Sequence, residues 1–252
     1  MELPVLSTMV VLYKTNLKFD TTLLLQSLPI NKDIIKIEKR GFPKRGESKR
    51  DKIKRRSKKE PSNNNTGFCH NSLTIVMLND GDGTLHLKEI TIKIFQNGVF
   101  HMTGILHDKY HECCMRILLQ EIWNNSQDSL KDIPEKYEIL NYRVVLMNYT
   151  TKLSSNQTIA REHLHNTIRK SNMENITSHY DPDVYPGVKI CIGKNNWTAK
   201  VFRTGKIILT GVVSPIECSD LILRLLSLFE TVLPQKLKLE HMSNIVDPLV
   251  VH

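Results

Sequence analysis

A chain of 252 residues, of which 40% are hydrophobic and 24% charged, has the composition of a globular protein with a substantial core, which excludes a disordered or low-complexity chain. Its apolar runs are shorter than the roughly 18 residues of a membrane-spanning helix, and its start, MELPVLSTMVVLYK, lacks the basic residues of a signal peptide. Five cysteines, an odd number with no CxxC spacing, lead us to expect a protein kept in a reducing compartment.

The net charge of +9 comes from one stretch of the chain. Residues 39–60 contain 12 basic and 3 acidic residues, which leaves 23 of each sign elsewhere. A run so poor in apolar residues cannot bury a core, so it predicts a mobile loop. This loop is either a solvated segment or nuclear-localisation signal, or a flexible arm that binds phosphate backbones.

The first half of the chain predicts a strand, a short helix, several strands and a long helix, in that order. Residues 5–14 are rich in β-branched residues and predict a strand, and Asp20 can cap a helix that ends near Leu28. Three further strands are predicted at IIKIEKR, SLTIVML and ITIKIF. Asn97-Gly98 predicts a hairpin, because both central positions of a type I′ turn require positive φ. Apolar spacing then predicts a helix over about residues 108–123.

The second half repeats this order and ends with a helix that begins at Pro215. The motif KIFQNGVFHMTG, residues 93–104, is repeated 107 residues later as KVFRTGKIILTG, residues 200–211. The pattern of the N-terminal strand is repeated 134 residues later. The basic stretch accounts for the difference of 27 residues. We therefore predict two repeats of one design. The predicted divisions are residues 1–130, with an insert at 39–66, then 131–234, then a tail at 235–252.

Strand alternation assigns the Phe of each copy to the same side as its Lys. Lys93 and Phe95 share one face, as do Lys200 and Phe202, while their apolar neighbours take the other. Helices can cover only one face of such an antiparallel sheet, so the Lys and Phe face is left as an exposed mixture of basic and apolar groups. The alternative is that the Phe rings pack under a loop.

The remaining sequence motifs give little indication of metal binding or catalysis. His107 and His111 lie one helical turn apart beside Cys113 and Cys114, so either a metal site or an ordinary helix surface fits them, and the absence of a second ligand pair favours the surface. No P-loop, nucleotide-binding Gly-rich fingerprint, GxSxG or HExxH motif occurs. We therefore expect no catalytic residue, no metal and no cofactor.

At the repeated motif the sequence resembles the TATA-box-binding protein family. FQNGVFHMTG and FRTGKIILTG approximate the family's recurring element, and YDPDVYPG, residues 180–187, looks like its Y-E-P-E-L-F-P-G. The likeness covers most of residues 4–234. It is greatest to the TATA-binding-protein-like factors of large cytoplasmic DNA viruses such as African swine fever virus.

The resemblance implies an α+β saddle. In that family two pseudo-symmetric repeats form one curved ten-stranded antiparallel sheet, with two long helices on the convex face and the concave face in the DNA minor groove. Paired aromatic rings wedge between base steps and kink the duplex. The intercalating residues implied here are Phe68, Phe95, Tyr185 and Phe202.

The resemblance also implies groove and phosphate contacts. The groove-contacting residues are Thr8, Thr103, Asn141, Ile208 and Thr210. Lys206 matches a phosphate-contacting Lys of the family. We expect further phosphate contacts from basic residues of the strands, the second hairpin and the insert: Lys93, Lys200, Arg203, Lys44, Arg45, Lys49, Arg50, Lys54, Arg55 and Arg56.

The function implied is a DNA-bending factor that nucleates promoter complexes as a monomer on A·T-rich double-stranded DNA. Asp181 and Asp183 match carboxylates that dock a TFIIB-like factor, which brings in the RNA polymerase machinery. No membrane partner is expected. The chain would act in the host cytoplasm if it is viral, or in the nucleus if residues 39–60 direct nuclear entry.

Four residues depart from the family pattern: Val99, His101, Arg143 and Cys191. Val99 and Cys191 stand where the family has phosphate-binding cations, and His101 stands where a small apolar residue lines the groove. These departures keep open a second function, a transcription-factor adaptor that binds partner proteins and has lost tight or TATA-specific DNA binding.

Overall fold

The computed structural model describes residues 1–52, 72–153, 158–193 and 197–232, which form two compact units. The first-repeat unit comprises Thr8–Val145, and the second-repeat unit comprises Met1–Ser7 with the described residues from Leu146 onward. The described α-helices are α1 (Thr21–Ser27), α2 (Asp108–Asn125), α3 (Arg161–Ser171) and α4 (Pro215–Val232). The described strands are β1 (Val5–Thr15), β2 (Ile34–Glu38), β3 (Arg45–Gly46), β4 (Ser72–Asn79), β5 (Lys88–Phe95), β6 (Val99–Ile105), β7 (Ile139–Lys152), β8 (Ile176–His179), β9 (Val188–Ile192), β10 (Trp197–Val201) and β11 (Lys206–Val212).

The first-repeat unit is an antiparallel sheet with helices on one face. Its strand order is β3-β2-β4-β5-β6-β1, followed by the start of β7. Ile90, Ile92 and Ile94 of β5 are fully buried, and eight residues of α2 are buried as well. Beneath them Phe19 and Phe100 pack edge to face, with ring centroids 5.7 Å apart. The predicted α+β class is confirmed.

Local sequence signals explain the first helix and the repeated hairpin. The Asp20 carboxylate caps α1 by accepting hydrogen bonds from the backbone N–H groups of Leu23, at 3.1 Å, and Thr22, at 2.8 Å, which lower its pKa. Gly98 lies at φ +80°, and a Cβ there would fall 2.0 Å from the carbonyl oxygen of Leu17. Only glycine fits this position. Asn97 does not have positive φ, and Gly98 N–H donates to the Phe95 carbonyl at 3.0 Å, so the hairpin forms as predicted but the predicted type I′ turn at Asn97-Gly98 is wrong.

The first part of the insert is ordered, so the prediction of a mobile loop is wrong for residues up to 52. Arg45 in β3 pairs with Ile37 of β2, and its guanidinium donates to the carbonyl oxygens of Leu25 and Leu28, at 2.6 and 2.8 Å. These carbonyls belong to the end of α1, where no helical N–H reaches them. With β3 the described strands number eleven rather than the predicted ten. Residues 53–71 lie outside the described residues.

A second contact anchors the same part of the insert. Asp51, in the turn Lys49–Lys52, accepts a hydrogen bond from the Lys36 ammonium at 2.9 Å and another from the Ser48 N–H at 2.9 Å. These two bonds, the one from Lys36 first, hold the pKa of Asp51 well below its usual range. The insert is therefore tied to β2 before the densest basic run begins.

The second-repeat unit repeats the arrangement. Its strands follow the order β7-β11-β10-β9-β8, with the start of β1 beside β7, where Glu2 N–H donates to the Lys152 carbonyl at 2.7 Å. Ile190, Ile207 and Leu209 are buried on the face that α4 covers with seven buried residues of its own. None of the helices in the described ranges is both long and apolar enough to span a membrane.

The predicted boundary between the sequence repeats, at residues 130 and 131, remains a prediction, and the two compact units divide at other positions. The division falls within two strands, after Ser7 in β1 and after Val145 in β7. Each of these strands therefore has one end in each unit. The predicted tail, residues 235–252, lies outside the described residues.

Candidate nucleic-acid interface

The open face of the second-repeat unit is the sheet face turned away from α4. Ala199 and Val201 of β10 are buried against the core with Ile207 and Leu209 of β11, so the residues between them point the other way. Cross-strand pairs join Thr198 to Thr210 and Lys200 to Ile208. The open face carries Lys189, Cys191, Thr198, Lys200, Ile208 and Thr210, with Tyr185 and Phe202 at one end.

Tyr185 and Phe202 form an aromatic pair outside the core. Their ring centroids are 5.8 Å apart at an interplanar angle of 61°, an edge-to-face contact. Tyr185 is 37% exposed and Phe202 is half-buried. A Cβ on Gly187 would lie 3.1 Å from the Tyr185 ring and 3.2 Å from the Phe202 ring, so glycine leaves room for both rings. The structure brings together the two residues that the resemblance implies as the second intercalating pair.

A turn of the backbone presents Tyr185. The Asp181 carbonyl accepts from Val184 N–H at 3.3 Å and from Tyr185 N–H at 2.9 Å, and the Asp181 carboxylate accepts from Asp183 N–H at 3.0 Å. Both carboxylates are exposed, and Val184 is 80% exposed. Beside the turn, the Lys200 ammonium lies 5.4 Å from the centre of the Tyr185 ring, at cation–π distance.

The open face of the first-repeat unit shows the same alternation. It carries Thr91, Lys93 and Phe95 of β5 and Val99, His101 and Thr103 of β6, all of them half-buried. Lys93 pairs across the strands with His101, and Thr91 pairs with Thr103. Burial, and then the charge of Lys93, lower the pKa of His101, so its ring is neutral at neutral pH. Phe68, the partner expected for Phe95, lies outside the described residues.

Two further predicted residues, Thr8 and Asn141, lie on β1 and β7 in this unit, and so does Arg143, one of the four departures from the family pattern. Thr8 is half-buried next to the buried Met9, and Asn141 and Arg143 are exposed. Between them the Tyr142 ring packs toward the helices, 5.3 Å from the His111 ring. Because neighbours in a strand point to opposite faces, Asn141 and Arg143 lie on the open face.

Comparison with known proteins adds three findings. The solved structure "Methanococcus jannaschii TBP" is 16% identical, covers 90% of this chain and 98% of its own, and superposes with a TM-score of 0.54. The family model "Transcription factor TFIID (or TATA-binding protein, TBP)" matches residues 144–232. A search of curated proteins found no match.

The fold is that of a TATA-binding protein. The family match lies in the second half of the chain, where the repeated motif and YDPDVYPG follow the family pattern more closely. Both aromatic residues of the described pair lie within the matched segment.

The predicted phosphate-contacting residues differ in their exposure and in whether other groups of the protein already contact them. Arg203 and Lys206 are exposed in the hairpin between β10 and β11, and Lys49 is exposed in the insert. The Lys44 ammonium lies 3.8 Å from Asp51, and the Arg45 guanidinium is held by the α1 carbonyls, so a phosphate would have to displace these partners. Lys54, Arg55 and Arg56 lie outside the described residues, as does the side chain of Arg50.

The candidate metal residues have other partners. His107 caps α2, its Nδ1 accepting from Lys109 N–H at 3.2 Å, and both ring nitrogens of His111 are engaged, Nδ1 with the Tyr13 hydroxyl at 2.7 Å and Nε2 with Asp108 at 3.2 Å. Across the described part of the chain, no group of three or more His, Cys, Asp or Glu residues is placed to hold a metal ion.

Sequence reasoning missed Lys189, a basic residue of the open face. It lies in β9, opposite Lys200 of β10 and opposite His179 of β8. Alternation with the buried Val188 and Ile190 would have placed Lys189 on this face, but its neighbours follow only from the register between strands.

Proposed function

We propose that the protein is a DNA-binding factor of transcription initiation that inserts side chains of its open faces into the minor groove of A·T-rich promoter DNA and bends the duplex. The half-exposed pair Tyr185–Phe202 is the observation that carries this proposal. Two aromatic rings held outside a core, with an ammonium 5.4 Å from one of them, suit a wedge that replaces lost base stacking beside a phosphate backbone.

The remaining roles follow from position on the open faces. Phe95 serves as the wedge of the first-repeat unit, with Phe68 as its proposed partner. The hydroxyl, amide and apolar groups of Thr8, Thr103, Asn141, Ile208 and Thr210 contact the groove floor. Phosphate contacts come from Lys93, Lys200, Arg203, Lys206 and the basic insert.

The proposed partners are proteins as well as DNA. The exposed turn that carries Asp181, Val184 and Asp183 docks a TFIIB-like factor, which recruits RNA polymerase. The factor acts as a monomer on DNA, without a cofactor and without enzymatic activity. If the chain is viral, as its resemblance suggests, it acts at the cytoplasmic site of viral replication, and the basic run offers a route to the nucleus.

An adaptor without tight DNA binding is the second candidate. The exposed Val184, in the same turn as the exposed carboxylates of Asp181 and Asp183, favours it, because an 80% exposed valine suits a protein partner. His101, neutral and half-buried, also supplies no charge to a phosphate on the first-repeat unit.

Bending of A·T-rich DNA separates these candidates. We expect duplexes of about 25 base pairs, with a donor and an acceptor dye at the two ends, to show increased energy transfer on binding, because a wedged base step shortens the end-to-end distance. An A·T-rich duplex should bind at least about tenfold more tightly than a G·C-rich duplex of the same length. Equal affinity for both duplexes with unchanged energy transfer would favour the adaptor.

A further inference from the structure

The open face of the second-repeat unit places three basic residues in one row. His179 of β8 lies directly opposite Lys189 of β9, which in turn lies directly opposite Lys200 of β10. We call these three residues the basic row. They share a face because all are in register across adjacent antiparallel strands.

The two lysines of the basic row carry charges that no carboxylate neutralises among the residues that the structure describes. The Lys200 ammonium instead contacts the Tyr185 ring. Like charges directly opposite each other destabilise a sheet, so an anion bound between them would relieve this repulsion.

A depression of about 830 Å³ lies beside the row. All three residues of the basic row line it, together with Arg169 of α3 and with Tyr185. Asp181 is the one carboxylate among the described residues that line it. Burial, and then the nearby Arg169 and His179, lower the pKa of the adjacent His165.

We propose that the basic row and Arg169 form a phosphate-binding site in this depression. Lysine ammonium groups bind phosphate as point charges, and Arg169 can add a bidentate contact. The depression is large enough for a phosphodiester group of DNA or for a free polyphosphate, and it adjoins the Tyr185 wedge. If the bound phosphate belongs to DNA, this inference rests on the proposed function. The site then anchors the DNA backbone next to the wedged base step.

Binding of a DNA phosphate in the depression is tested with the variant Lys189→Gln. Its matched control is Lys170→Gln, at an exposed residue of α3 that does not line the depression. Measured over a salt series, Lys189→Gln should weaken binding to the A·T-rich duplex several-fold and reduce the slope of log K against log salt by about 1. Lys170→Gln should leave both unchanged. Equal slopes for the two variants would overturn the DNA-phosphate contact.

Binding of a free polyphosphate in the depression is tested by isothermal titration calorimetry with inorganic tripolyphosphate at low salt. Heat that the wild type shows and Lys189→Gln loses supports the site even if the protein never bends DNA. If DNA is bent but Lys189→Gln changes neither the salt slope nor the tripolyphosphate heat, the phosphate site is wrong while the proposed function stands. Thermal unfolding midpoints identify misfolded variants, and Lys189→Gln should not lower the midpoint because it removes a like-charge pair.

Discussion

Replacing Tyr185 and Phe202 together by alanine is expected to weaken binding to A·T-rich duplex DNA by at least about 30-fold. Stacking of a base on an aromatic side chain contributes about 1–3 kcal/mol by alanine substitution, so losing two rings costs about 2 kcal/mol or more. The rings stand outside the core, so the loss should fall on binding rather than on folding. Fluorescence anisotropy with a dye-labelled duplex measures the affinity.

Two controls make this result specific. Ile216→Ala with Leu223→Ala removes two exposed apolar side chains of α4, in the same unit but on the helix side, and should change affinity less than about twofold. Tyr185→Phe keeps the wedge and should retain wild-type affinity. If the alanine pair binds as tightly as the α4 control, Tyr185 and Phe202 are not wedges.

Neutralising Lys54, Arg55 and Arg56 together should reduce the slope of log K against log salt by about 3 and lower affinity near physiological salt by about 10². Each lost phosphate contact reduces that slope by about 0.9 on duplex DNA, and the effect grows as salt is lowered. The reason is that the whole net charge of +9 lies in residues 39–60 and the rest of the chain is neutral. Binding isotherms between low and high salt give the slope.

The choice of these three positions follows from the structure. Deleting residues 40–60 would also remove Arg45 and Asp51, which tie the insert to α1 and β2, so a weaker protein could result for a structural reason. Glutamine at Lys32, Lys131 and Lys170, which are exposed, lowers the net charge by the same three units. A slope that falls equally in both triple variants would show that net charge, and not the insert, controls binding.

Local and periodic signals predicted most of the fold. Asp20 marked the start of α1, Asn97-Gly98 marked the hairpin, and alternation placed Phe95 and Phe202 off the core, because each depends on residues near one another in sequence. The ordered insert could not be predicted this way, since Arg45 depends on carbonyls of a helix 17 to 20 residues earlier.

Long-range partners explain what the site prediction missed. His111 was a metal candidate from its spacing to His107, but its Nδ1 is engaged by Tyr13, 98 residues earlier. The basic row likewise depends on the register of three strands, which no local pattern fixes. The sequence therefore shows which strand residues share a face of the sheet, but it does not show which residues lie opposite each other on neighbouring strands.

Cys191 offers a chemical probe of the open face itself. It is half-buried on β9, whereas Cys113, Cys114 and Cys218 are buried, and burial raises the pKa of Cys114 strongly and that of Cys218 to about 12, which keeps both thiols unreactive. Cys69 lies outside the described residues, so Cys69→Ser serves as the background for labelling.

The most direct test is the rate at which N-ethylmaleimide alkylates Cys191, followed by peptide mass spectrometry, with and without saturating A·T-rich duplex. If the open face of the second-repeat unit lies against DNA, the duplex should slow alkylation of Cys191 by about tenfold or more. An unchanged rate on protein that anisotropy shows to be fully bound would mean that DNA occupies some other surface, and the account would be contradicted.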